Sequence, residues 1–245
     1  MSQELSELQS VGNIFFEPSK AFECLRERPR FILATIILAV LSLVFSVALF
    51  QKIGEENYRR FLSEQNERSA QYQALSTEEK ENALNAQVKW VEILSYLSPI
   101  FTIAYIALGG LIALAIGKAI GGEMNYSQGV SLWIYSAFPP SVVFTIASLI
   151  VLLFKPSEQI DLIRFQYSGL LPSNLGFFVN PKEMPALSAL LGGLDIFRLW
   201  GWALFAIGLE RMARVSSGIA WTTSVFLFAA FVAIGVISAF IFGAG

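Results

Sequence analysis

The chain has 245 residues, of which 55 % are hydrophobic and 15 % charged, and its formal net charge is −2. A soluble domain of this size carries about 25 % charged residues, so the composition indicates an integral membrane protein. The slightly negative charge argues against nucleic acid as a partner. The chain lacks histidine and has one cysteine, so the commonest metal ligands and an internal disulfide are excluded, and we expect no metal or cofactor.

Residues 1–30 are predicted to form a cytoplasmic tail ending in an amphipathic helix that starts near Pro18, where a missing N–H costs nothing. Ala21, Phe22 and Leu25 share one face of this helix. That face would either lie on the cytoplasmic leaflet as an interfacial helix or pack on the ends of the spans. Both alternatives are open from the residues alone.

Five apolar runs follow, and each is long enough to cross the hydrocarbon core of a bilayer, about 30 Å thick, as a helix. They cover residues 31–50, 91–120, 130–154, 186–210 and 217–243. Backbone groups in hydrocarbon must satisfy their own hydrogen bonds, so the runs are predicted to be helices. The predicted fold class is all-α, a polytopic transmembrane helix bundle with five spans.

Basic residues predict the orientation of these spans. Arg26, Arg28 and Arg30 stand directly before the first run, so that end should stay in the cytoplasm. Five spans then place Glu210 and Arg211 at the cytoplasmic face, where we expect them to form an interfacial pair. The same count places the C-terminus outside.

Residues 51–90 are polar and are predicted to form an extracytoplasmic helical insertion. Ser76 and Glu79 have the spacing of a capping box, so a helix should begin at Thr77 and run directly into the second span. We interpret the insertion as a solvated helical hairpin, with a docking surface as the alternative.

Small residues recur at four-residue spacing along the second span: Gly109, Ala113, Gly117 and Gly121. Lipid supplies no hydrophobic drive for helix association, so helices associate through van der Waals packing. Small residues permit the close backbone approach that this packing requires. The pattern predicts a helix-packing seam inside the bundle, with a pore lining as the alternative.

The third span contains Pro139 and Pro140, which each remove a backbone donor and clash with the preceding turn. We predict a kink or a break in the helix there. A structural kink is favoured over the broken helix of a transporter site, because no matching half-repeat is visible.

The fourth span holds Asp195 and Arg198, whose three-residue spacing would let them pair on one helical face. A charge near the centre of a span costs about 2.5–3.5 kcal/mol on insertion scales, so these residues are the candidate intramembrane functional pair. The alternative is a structural ion pair that faces the bundle interior. No nucleophile–base pair, phosphate loop or metal-spaced cluster accompanies them, and we predict that the protein is not an enzyme.

Four segments resemble one family. They are FFEPSKAFECLRERPRF (15–31), IGGEMNYSQGVSLWIYSAFPPSVV (120–143), NLGFFVN (174–180) and LDIFRLWGWALFAIGLERMARVSSGIAW (194–221). They are similar to the Yip family, named for interaction with Ypt/Rab GTPases, over most of 11–243 except 51–90. The resemblance implies that residues 31–245 are a five-span membrane domain with a cytoplasmic N-terminus.

The short N-terminal region resembles that of prokaryotic members, which argues against a Rab-type GTPase as a partner and implies the bacterial inner membrane. Two functional hypotheses follow. The first is a non-enzymatic organiser in the lipid bilayer that binds other membrane proteins or a second copy of itself, or that shapes the bilayer. The second is a transporter or channel for a small solute or lipid that uses Asp195 and Arg198.

Overall fold

The structure, a computed structural model, describes residues 6–67 and 69–242 and is built from helices and their connections. The first five residues of the predicted tail and the C-terminal end predicted to lie outside are not among the described residues. The α-helices are α1 (Glu7–Phe16), α2 (Pro18–Glu27), α3 (Ile32–Ile53), α4 (Glu55–Asn66), α5 (Ala70–Gln73), α6 (Thr77–Ala119), α7 (Tyr126–Phe154), α8 (Leu162–Ser168), α9 (Pro185–Gly193), α10 (Ile196–Ala213) and α11 (Ser217–Phe242).

Among the described residues, α3, α6, α7 and α11 are each long and apolar enough to cross a bilayer. The predicted all-α polytopic bundle is therefore confirmed. The fourth apolar run is different, because it is not one helix. It is divided between α9 and α10, which bend by 48° at their junction and make a fifth span only when taken together.

The capping box at Ser76 and Glu79 is confirmed. The Ser76 hydroxyl accepts from the backbone N–H of Glu79, and the Glu79 carboxylate accepts from the backbone N–H of Ser76. From this cap α6 runs for 43 residues without interruption, from the polar insertion into the second span. A second box at Asn125 and Gln128, which the sequence reasoning missed, starts α7 in the same way.

Two residues of the predicted small-residue seam are closely packed, Gly109 against α7 and Gly117 against the connection that precedes α7. A Cβ atom at Gly109 would stand 2.0 Å from Trp133 Nε1, and one at Gly117 would stand 2.5 Å from the sulfur of Met124. Ala113 is fully buried. Gly121 was wrongly included, since it follows the end of α6 with φ +84° and has no neighbour within 4 Å of a Cβ position.

Hydroxyl groups join α3 to α6 within the membrane. Ser46 lies 2.7 Å from the carbonyl oxygen of Ser95 and 2.8 Å from the hydroxyl of Ser98. One turn further along, the Thr102 hydroxyl donates to Ser42 at 3.0 Å. Such interhelical bonds favour association where apolar contact alone gives no preference over lipid.

Helix α7 continues through Pro139 and Pro140, so the third span is not broken there. Both prolines are buried, and α10 packs against this part of α7 at Gly201, whose Cβ position is 3.5 Å from the Pro140 ring. Neighbouring helices can support a proline-containing helix in this way. A bend without a break stays a prediction.

Helices α1 and α2 pack on one end of the bundle, which we call the α1–α2 end. Ala21, Phe22 and Leu25 are 0–1 % exposed. Phe22 reaches Gly208 of α10, where a Cβ atom would lie 3.0 Å from its ring. The apolar face of α2 is therefore covered by the spans and not by lipid, which decides between the two alternatives left open by the sequence.

Candidate functional site

The break in the fourth span centres on Asp195, the N-cap of α10. Its Oδ1 atom accepts from the backbone N–H groups of Phe197 at 2.8 Å and Arg198 at 3.4 Å. Aspartate is among the preferred N-cap residues because it satisfies donors that a helix start leaves unpaired. The cap therefore explains why a new helix begins here after α9 ends.

The other oxygen of the Asp195 carboxylate is bound from a distant loop. Oδ2 accepts from the side-chain amide of Asn174 at 3.0 Å and from the hydroxyl of Ser173. The carbonyl of Ser173 in turn accepts from the backbone N–H of Ile196 at 3.2 Å. Asp195 is only 6 % exposed and accepts from four donors, so the carboxylate holds the 169–174 loop against the start of α10.

The predicted ion pair between Asp195 and Arg198 does not form; within the described residues neither side chain takes part in a salt bridge. The i,i+3 argument fails because Asp195 precedes the helix and both of its oxygens bind other donors. The Arg198 side chain is exposed. Its guanidinium lies over the ring of Phe231, 5.5 Å from the centroid.

Arg198 lines a cleft of about 340 Å³ between α8, α9, α10 and α11. Glycine residues bring the walls together. A Cβ atom at Gly192 would lie 2.5 Å from the carbonyl oxygen of Tyr167, and one at Gly193 would lie 3.1 Å from Val232. The remaining lining residues are Gln166, Ala189, Gly235, Ser238 and Ala239.

The depth of these charges follows from helix geometry. Arg198 precedes Arg211 by 13 positions along α10, which places it about 20 Å from the α1–α2 end of that helix, and Asp195 stands about 24 Å away. A hydrocarbon core is about 30 Å thick. With Arg211 at the membrane boundary, both charges therefore lie in the half of the membrane away from the α1–α2 end, Arg198 about 5 Å and Asp195 about 9 Å beyond the span centre.

Charged groups also join α2 to α10 at the α1–α2 end. The Arg211 guanidinium pairs with Glu23 at 2.8 Å and with Glu210 at 3.6 Å. Arg26 donates to the backbone carbonyl of Arg211 at 3.0 Å. The predicted Glu210–Arg211 pair thus exists, and the arrangement resembles a helix C-terminus stabilised by cations.

Two more of the predicted interface residues lie at this end, Arg28 exposed and Arg30 half-buried. The end of α6 is here too, because a Cβ atom at Gly117 would lie 3.8 Å from Ala213. Lys118, the neighbour of Gly117, therefore joins the same basic group. The α1 helix adds a cap that sequence reasoning missed: Glu7 accepts from the backbone N–H of Leu33 at 2.7 Å, at the start of α3.

Sequence reasoning missed the groups that surround Asp195. Ser173 and Asn174 lie more than 20 residues upstream, and no periodicity links them to α10. The available signal was the NLGFFVN segment, which begins at Asn174. Phe231 gave no signal, since it is one of many aromatic residues in the last span.

These features define a polytopic helical membrane protein with a broken fourth span. Residues 12–239 match the Yip1 domain, and the chain belongs to the Yip1 domain family. It is 24 % identical over 244 residues to "Membrane protein YknW" of Bacillus subtilis (strain 168), an alignment that covers 96 % of this chain and 92 % of the relative. No solved structure matches the chain significantly.

Proposed function

We propose that this Yip1-domain protein is a non-enzymatic membrane protein that binds and organises other membrane components. The observation that carries the proposal is the exposure of its intramembrane cation, Arg198. Arg198 is exposed on the side of the bundle, whereas the nearby Asp195 carboxylate is buried and saturated with donors. Charges within spans are costly and mark functional sites, and an exposed one is within reach of a neighbouring lipid or protein.

The alternative, a transporter or channel that uses the same two residues, requires a carboxylate that can change partners during a cycle. Asp195 accepts from two backbone N–H groups, an amide and a hydroxyl, so releasing it would cost several hydrogen bonds to a charged group at about 1.5–3 kcal/mol each. This favours a structural role for Asp195.

We propose that the protein lies in the inner membrane of a bacterial cell, with the α1–α2 end on the cytoplasmic side. The support is the basic group at that end, which includes Arg26, Arg211 and Lys118, because positive residues near span ends stay on the cytoplasmic side.

Two exposed lysines at opposite ends test this orientation. In a Cys24→Ser background, a membrane-impermeant maleimide should label Lys182→Cys in intact spheroplasts and Lys118→Cys only after permeabilisation. Labelling in the reverse pattern would overturn the assignment.

Binding is tested by photo-crosslinking in the native membrane. A photoreactive residue replaces Ile234, 67 % exposed on α11 beside the cleft, or Ile36, 52 % exposed on α3. We expect discrete protein or lipid adducts, identified by mass spectrometry, at position 234 and not at position 36. Equal adducts at both positions, or none at either, would contradict the proposal.

A flux assay on the purified protein in liposomes tests the alternative. We expect no movement of ions, small solutes or lipids above protein-free liposomes. Flux that is lost in Arg198→Gln would identify a carrier and replace the binding proposal.

A further inference from the structure

The Arg198 guanidinium is a cation in a membrane-facing cleft with no carboxylate paired to it anywhere in residues 6–67 and 69–242. Charged side chains within spans are costly and are normally paired. The planar guanidinium presents a fork of donors that matches a phosphate, and it is more weakly hydrated than an ammonium group. A phosphate supplied by the surrounding bilayer would provide the missing counter-charge.

The direction of Arg198 brings its guanidinium toward the membrane boundary. Side chains on a helix point back toward its N-terminus. Helix α10 begins at Ile196 on the side opposite the α1–α2 end, so the Arg198 side chain extends outward from its Cα position. Its Cα lies about 10 Å inside the boundary, and the guanidinium stays beside the Phe231 ring. A lipid phosphate would therefore move inward to reach it.

The cleft extends outward beyond Arg198. Ser238 stands seven residues after Phe231 on α11, about 10 Å further from the α1–α2 end. The inner part of the cleft is therefore the aromatic ring under the guanidinium, and the outer part carries the hydroxyl group of Ser238. A phospholipid whose phosphate lies on Arg198 would place its headgroup in this outer part.

The composition of the lining selects among headgroups. Arg198 is its one charged residue, and the other polar residues lining it, Gln166, Tyr167 and Ser238, are neutral. The neighbouring carboxylate of Asp195, at the cap of α10, is buried and accepts from four donors. An ammonium headgroup would therefore find no counter-charge in this lining. A hydroxylated headgroup could form hydrogen bonds with the amide of Gln166 and the hydroxyl groups of Tyr167 and Ser238.

We infer that the Arg198 cleft binds one molecule of an acidic phospholipid with a hydroxylated headgroup, such as phosphatidylglycerol, with the phosphate on Arg198. The inference deepens the proposed function and rests on it, because it names one membrane component that the protein binds. It requires no chemical step, since the site holds the lipid and leaves it unchanged.

Native mass spectrometry of the full chain in a neutral detergent, titrated with phosphatidylglycerol, phosphatidylethanolamine or phosphatidylcholine, tests the inference. Wild type should retain one phosphatidylglycerol about tenfold more tightly than either zwitterionic lipid, and Arg198→Gln should lose that preference, a change equivalent to one charge-assisted hydrogen bond. Lys182→Gln, which removes an exposed cation at the same end of the bundle but outside the cleft, should bind as wild type does.

Arg198→Lys keeps the charge but loses the fork, and should bind with intermediate affinity; this variant separates loss of the site from loss of the fold. Equal affinity for the three lipids, or unchanged binding by Arg198→Gln, would overturn the inference. Competition by soluble glycerol phosphate would also overturn it, because the occupant would then be a free anion. Crosslinked adducts at position 234 that contain only protein would refute lipid binding in the cleft, but the proposed function would stand.

Discussion

The hydroxyl group of Ser46 donates to the carbonyl oxygen of Ser95 across the α3–α6 interface, at 2.7 Å. Ser95 stands four residues before Pro99, which has no N–H to offer the preceding turn. A residue on α3 therefore supplies the donor that a proline on α6 removes. This explains how the 43-residue α6 passes through Pro99 as one helix.

Replacing Ser46 with alanine should lower the free energy of unfolding by about 1 kcal/mol, since the Ser95 carbonyl would lose its donor within the membrane. Thermal or denaturant unfolding of purified protein in detergent measures the change. Pro99→Ala restores a backbone N–H, so the same Ser46→Ala change should cost less in that background. A cost that is equal with and without Pro99 would show that the two residues do not act together.

Asp195→Asn should destabilise the protein by about 2–3 kcal/mol, because an amide NH₂ would meet a site already filled with donors. The matched control is Asp161→Asn. Asp161 caps α8 through two backbone N–H groups, but it is exposed, and within the described residues its carboxylate accepts from no side chain. Asparagine caps helices as well as aspartate does, so the control should change stability by only a few tenths of a kcal/mol.

Unfolding of both variants by the same denaturant gives the comparison. Equal losses for Asp195→Asn and Asp161→Asn would show that Ser173 and Asn174 contribute nothing beyond the cap. A stable Asp195→Asn variant that has lost a liposome flux would instead favour the transporter hypothesis.

The sequence predicted features that depend on neighbouring residues. Hydropathy located the membrane helices, and the spacing of Ser76 and Glu79 located the start of α6, because a capping box uses groups only three residues apart. Gly109 and Gly117 indicated close packing correctly, since their spacing is a property of one helix. Gly121 did not belong to the pattern, because α6 ends before it.

The candidate site was less predictable because its contacts are distant in the chain. Asp195 and Arg198 were expected to pair as helical neighbours, but Asp195 binds a loop more than 20 residues upstream and Arg198 contacts Phe231 on the next helix. Spacing along a helix carries no information about these partners. The cap that Glu7 provides to α3 is hidden for the same reason, with 26 residues separating donor and acceptor.

Gly129→Ala should destabilise the α6–α7 packing by about 1–3 kcal/mol, the usual cost of excess volume in a tight core. A Cβ atom there would lie 2.4 Å from the carbonyl oxygen of Gly110, which belongs to the backbone and cannot rotate away. Gly12→Ala is the control. It lies on an exposed part of α1 with no neighbour within 4 Å, and should stabilise that helix by up to about 1 kcal/mol.

Both glycine variants are compared by thermal unfolding in the same detergent. A Gly129→Ala protein that unfolds at the wild-type temperature would mean that α6 and α7 separate without cost, against the seam described above.

Because of Tyr58, the stability of the folded protein should fall at alkaline pH. Its side chain is 9 % exposed and stacks on Phe50, with ring centroids 5.4 Å apart. Burial disfavours the phenolate and raises the pKa of Tyr58 from 10.0 to about 12. Between these two values the unfolded chain has released the phenolic proton while the folded chain still holds it, so the stability of the folded state falls as pH rises.

Chemical unfolding at pH 9 and pH 11.5 measures this effect, with Tyr58→Phe as the comparison. Wild type should lose more stability over the interval than Tyr58→Phe does, because phenylalanine has no proton to release. Absorbance at 295 nm should show a tyrosine of the folded protein ionising near pH 12 in wild type, and that step should be missing from the variant. The same loss of stability in both proteins would place the alkaline sensitivity elsewhere in the chain, and Tyr58 would then contribute only through the stacking of its ring on Phe50.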